Sequence, residues 1–233
     1  MHTSRLLHST YKRFRLTMPF IGVILLISAV LLGSVLFLHL WKGIPLAKLT
    51  RDPLAVGQMP VYIGFLSQIG VFFWAAAIAI CLFSSALLAQ LAVRRHLKRF
   101  LFISALLTSL LALDEVFMLH ETVLPYFGIP EIVVLGSYAL FFLLYFLKFY
   151  RLILRTEYLL LLTALSFFAL SILLDQWQVA NANLHYLLED GTKLVGIVSW
   201  LGYFFHVGLH ALHRAIGQRS PTFSSREPER GSS

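Results

Sequence analysis

Six long apolar runs, near residues 17–41, 61–92, 99–121, 132–149, 157–175 and 189–213, constrain this chain more than any motif in it. A bilayer core of about 30 Å is crossed by about 20 helical residues, and each run is long enough or nearly so. None alternates polar and apolar residues as a barrel strand does, so the backbone must satisfy its own hydrogen bonds in helices. The expected class is therefore all-α, an integral membrane bundle of six transmembrane helices. Composition agrees. Of 233 residues, 58% are hydrophobic and 13% charged, with a mean hydropathy of +0.79, whereas soluble domains carry about 25% charged residues. The second run is too long for one straight span and is expected to tilt, to bend near Gly70 or to reach into the interface.

Three segments follow from these boundaries: a basic N-terminal segment 1–16, a six-helix transmembrane domain 17–214, and a Ser/Pro/Arg-rich tail 215–233 read as disordered. The first run is read as a retained helix, because its apolar part exceeds a signal core and no small-residue cleavage site precedes Trp41–Lys42. Arginine and lysine set the orientation. Fifteen of the 19 cations fall on the N-terminus, the even-numbered connections and the tail. Those parts are assigned to the cytoplasm, with both termini inside. Lys42, Lys48, Arg51 and Lys193 are left for the outer side. The net charge of +8 is then a topological asymmetry around spans rather than a nucleic-acid-binding face, and no nucleic-acid partner is expected; the lipid bilayer is. Cys81 stands alone, which excludes an intrachain disulfide.

Under this topology eight of the eleven acids lie at outer helix ends or outer loops. Asp114, Glu115, His120 and Glu121 close the third span in LALDEVFMLHETVLP. Asp175 closes the fifth, and His185, Glu189, Asp190 and Lys193 open the sixth in LHYLLEDGTKL. These are the candidate site residues, in a polar layer between helices three, five and six. At about 100° per residue Asp114, Met118 and Glu121 share a face, while His120 points elsewhere unless the helix is broken. An unpaired charge at membrane depth costs about 2.5–3.5 kcal/mol, so each should face the bundle and find a partner. Lys193 is the cation available to Asp114 or Glu115.

Three functions suit such a layer. Carboxylates with His120 or His185 are ligands for a divalent metal, zinc or iron. Stacked acids and histidines also carry protons or cations. The alternative is a structural or accessory subunit of a membrane complex, its charges an ion-pair network that locks helices. Six carboxylates facing one ammonium exceed what a balanced lock needs, which favours the first two. No phosphate loop, nucleophile elbow or Cys-x-x-Cys pair is present, and the reaction class stays open.

A second polar feature marks the other end of the sixth span, where Ser199, Gly202, His206, His210 and His213 share a stripe. Small and polar residues on one face read as bundle-facing. His210 and His213 beside Arg214 also suit a helix C-terminus at headgroup level. A haem clamped by His39 and His120, both at outer helix ends, is a further use of the chain's histidines and is not expected here.

The pieces LDEVFMLHE and LEDGTKLVGIVSW resemble those of bacterial multi-pass membrane proteins of uncharacterised function, over about residues 60–205. That resemblance implies a bacterial inner (plasma) membrane location and supplies no activity. The spacing His206-x-x-x-His210 is also similar to that in the last helix of alkaline ceramidase-type membrane hydrolases, which implies a membrane-embedded zinc hydrolase acting on lipid. Those proteins have seven spans against six here, and no acid lies at the matching depth.

Overall fold

The computed structural model describes residues 2–60, 62–91, 95–176 and 182–217. The side chains of 2–17, 19, 20, 176, 182 and 214–217 lie outside that description. The tail read as disordered lies outside it from residue 218 onward. Among the described residues every regular element is helical, and six helices are long and apolar enough to cross a membrane. The chain divides into two units, residues 1–63 and 64–233.

The first unit is dominated by α1 (His2–Lys42). From Ile21 to Leu40 most of its large apolar side chains are exposed, as befits a helix in lipid. Its C-terminal turn is closed by a side chain: the His39 ring nitrogen Nδ1 lies 2.8 Å from the Ile44 carbonyl. Two short helices follow, α2 (Leu46–Thr50) and α3 (Pro53–Val56). Asp52 caps α3, its carboxylate accepting from the Leu54 and Ala55 amides at 2.8 and 3.1 Å. That accounts for this loop acid without a site.

The second unit holds the other five spans: α4 (Phe65–Gln90), α5 (Arg95–Phe117), α7 (Glu131–Ile153), α8 (Tyr158–Gln176) and α9 (Ala182–Gly217). A single turn of helix, α6 (Leu124–Tyr126), lies between α5 and α7. The long second run is resolved at its start. Gly64 takes a left-handed conformation, φ +67°, open to glycine at little cost, and α4 begins after it. The helix then runs unbroken through Gly70 for 26 residues. The sixth span is longer than its apolar run: α9 has 36 residues and starts at Ala182, so His185, Glu189 and Asp190 are helical.

Helix α9 packs against α4 and α8, and α4 against α5. Trp200, Tyr203, Phe204, Phe100, Leu101 and Cys81 are fully buried between them. Close approach comes from small residues. A Cβ on Gly196 would stand 2.6 Å from the Phe168 ring of α8, and one on Gly208 would stand 2.7 Å from Ser84 Oγ of α4. Two buried hydroxyls of this core, those of Ser104 and Thr108, find partners on other helices. Ser104 Oγ meets Tyr145 Oη at 2.7 Å, and Trp200 Nε1 donates to Thr108 Oγ1 at 3.1 Å. Pairing matters because an unmet polar group has no water to turn to here.

Candidate functional site

The site begins with a break. The third span was expected to stay helical to residue 121, but α5 stops at Phe117. Met118 adopts φ +49°, ψ +50°, a left-handed conformation rare for a residue with a Cβ. One π-helical turn, Leu119–Val123, follows, with the Thr122 and Val123 amides both bonded to the Met118 carbonyl. The reversal turns His120 back over the end of α5, onto Asp114. His120 Nδ1 lies 2.5 Å from Asp114 Oδ2, and the His120 amide donates to Asp114 Oδ1 at 2.9 Å. Tyr138 of α7 donates its hydroxyl to the same Oδ1 at 3.1 Å. Asp114 is thus buried with three donors around it. Its carboxylate is held by these local donors, whereas Lys193 contacts Glu115.

The geometry fixes a tautomer. An ionised carboxylate only accepts, so a neutral His120 ring in contact with an ionised Asp114 carries its hydrogen on Nδ1 and its lone pair on Nε2. Nε2 faces Glu121 Oε1 at 3.4 Å. A protonated ring therefore has a carboxylate on each side.

Glu115 forms a second centre. Lys193 Nζ of α9 lies 2.6 Å from Glu115 Oε2, and Ser67 Oγ of α4 donates to Oε1 at 3.1 Å. This ties α4, α5 and α9 together at one level. On α9, His185 Nε2 stands 3.7 Å from Glu189 Oε2, while His185 Nδ1 is buried with no hydrogen-bond partner among the described residues. Asp175, Asp190 and Lys193 are close enough to act on the Glu189 charge, which brings the fifth span's acid to the sixth. Asp190 and Glu121 in turn act on Lys193.

The sequence-derived residues therefore fall into an Asp114–His120–Glu121 group, a Glu115–Lys193 pair, and a His185–Glu189 pair with Asp175 and Asp190 nearby. Ser67 and Tyr138 were not among them. The only trace of Tyr138 is the polar step Gly136-Ser137-Tyr138 inside an apolar run, and Ser67 has none beyond its place near the start of α4. Among the described residues no three His, Cys, Asp or Glu side chains converge to hold a metal ion. At the far end of α9, His206 and His210 stack with ring centroids 6.2 Å apart, and His210 Nδ1 meets the His206 carbonyl at 3.0 Å.

Fold and site define a multi-pass, all-α membrane protein with charged groups clustered at one end of its helices. By family, the chain belongs to that described as a domain of unknown function (DUF8692), whose model matches residues 19–207. No curated protein and no solved structure matches it.

Proposed function

We propose that this protein handles protons or cations at the Asp114 end of its helices, with the Asp114–His120 pair as the proton-carrying element. One observation carries the reading: the 2.5 Å contact between Asp114 Oδ2 and His120 Nδ1, held by a left-handed Met118. Backbone strain kept at one residue marks a contact that the surrounding fold enforces. Asp114 orients the ring and leaves Nε2 as the acceptor. An incoming proton would bind there, on the side of the ring that faces Glu121, and leave by the same atom. A divalent ion would start from the donors His120 Nε2 and Glu121 Oε1, with Asp114 supporting the ring from behind. Two donors suit a transient cation better than a resident one.

The structural alternative draws on Glu115, Lys193 and Ser67, which join three helices by side-chain bonds alone. A lock and a carrier can coexist, since the two sets share no atom. The test is proton uptake into proteoliposomes under a potassium diffusion potential, read with an entrapped pH dye. Wild type should acidify faster than Asp114→Asn and His120→Gln, with Glu115→Gln retaining more of the rate than either. Equal rates in all four, and equal to empty vesicles, would leave the lock as the better reading.

A further inference from the structure

At the opposite end of the second unit lies a cleft of about 490 Å³, between the start of α5, the turn joining α7 to α8, and the end of α9. Its floor is apolar, with Leu97, Val207 and Ala211 buried. Its rim carries His96, Arg155, Glu157, His206 and His210, all exposed. The turn is fixed. The Arg155 and Thr156 amides bond to the Leu152 and Ile153 carbonyls, and Thr156 Oγ1 meets Tyr203 Oη of α9 at 2.9 Å. Among the described residues neither Arg155 nor Glu157 pairs with another side chain. A guanidinium and a carboxylate are thus held on one rigid rim, each open to a ligand.

We infer that this cleft binds the headgroup of a zwitterionic phospholipid, the phosphate diester at Arg155 and the rim histidines, the ammonium at Glu157. Arginine offers a planar fork that matches two phosphate oxygens, and imidazoles add further donors. Phosphate alone would meet Glu157 as a like charge, whereas a head carrying both signs uses both rim groups. A lipid rather than a soluble phosphate is favoured by position and shape. The cleft sits where the spans end, at headgroup level. Arg95, Lys98 and Arg99 on the first turns of α5, and Lys148 and Arg151 on the last turns of α7, lie at that same level. Ala211 also lines an apolar groove of about 180 Å³ between α4 and α9. A molecule with a charged head and an apolar body therefore finds both surfaces against one helix. The inference is independent of the Asp114–His120 reading.

The test is native mass spectrometry of the full chain in detergent, titrated with phosphatidylethanolamine, phosphatidylglycerol, diacylglycerol or inorganic phosphate. Unfolding midpoints verify that each variant is folded. Wild type should retain one phosphatidylethanolamine. Arg155→Gln and Glu157→Gln should each weaken it roughly tenfold, the loss of a charged hydrogen-bond partner. Arg155→Lys should fall between, and Arg151→Gln, outside the cleft, should bind as wild type. Retention unchanged by Arg155→Gln overturns the site. Binding of phosphatidylglycerol or diacylglycerol as tight as that of phosphatidylethanolamine, or competition by inorganic phosphate at equal concentration, overturns the proposed ligand.

Discussion

Removing Lys193 should expose how much of the fold depends on one ion pair. Lys193 Nζ sits 2.6 Å from Glu115 Oε2, with the Glu115 side chain 14% and that of Lys193 38% exposed. A fully buried pair broken on one side costs about 3–5 kcal/mol, and an exposed pair contributes about 0.2–1 kcal/mol. The lysine is too exposed for the first figure and the glutamate too buried for the second, so about 2 kcal/mol is expected for Lys193→Met. Glu115→Gln keeps an acceptor for Ser67 and removes only the charge. Lys193→Met with Glu115→Gln should therefore cost little more than Lys193→Met alone, a coupling of about 2 kcal/mol in a double-mutant cycle. Asp114→Asn with Lys193→Met should instead be additive, because Asp114 is held by His120 and Tyr138. Reversible unfolding in mixed detergent micelles measures all six proteins. Additivity for Glu115 with Lys193, or equal coupling for Asp114 with Lys193, would refute the assignment of partners.

Met118 should tolerate glycine and resist branching. Met118→Gly relieves the left-handed strain and keeps the site near wild-type stability, whereas Met118→Val should cost about 2 kcal/mol and release His120 from Asp114; unfolding midpoints decide it. Gly196→Ala drives a methyl into the Phe168 ring, which itself stacks on Trp74, and should lower stability by about 1–3 kcal/mol, seen as a lower unfolding midpoint in detergent. For topology, reporter fusions at Arg95 and Arg151 should read cytoplasmic, and those at Leu54, Pro125 and Asn183 outside. One reversed reading removes the orientation derived from the cations.

Helix number and approximate limits were legible because apolar length is a one-dimensional signal, and in a membrane it has one structural solution. The acids of the candidate site were legible for a related reason: charge at membrane depth is expensive and stands out in LALDEVFMLHE. What sequence left open was pairing. Regular helical spacing puts Asp114 and His120 on different faces, and their contact exists only because Met118 leaves the right-handed region. A methionine carries no signature for that conformation, unlike the glycine at position 64. Partners on other helices were hidden too. Tyr138 and Ser67 are ordinary residues in apolar runs until packing brings them to a carboxylate. Helix α9 begins seven residues before the apolar run read from the sequence, because Asn183, His185, Glu189 and Asp190 interrupt the apolar residues of its first turns and mask the helix that continues through them.

The ¹⁵N spectrum of the His120 side chain tests the central claim most directly. Comparing histidine-labelled wild type with His120→Gln isolates its signals in lipid. With Asp114 as the acceptor on one side, the neutral ring should carry its hydrogen on Nδ1 and show an unprotonated Nε2. Asp114→Asn should return it to the Nε2–H form that free imidazole prefers. A wild-type His120 already in the Nε2–H form, or unaffected by Asp114→Asn, would contradict the account.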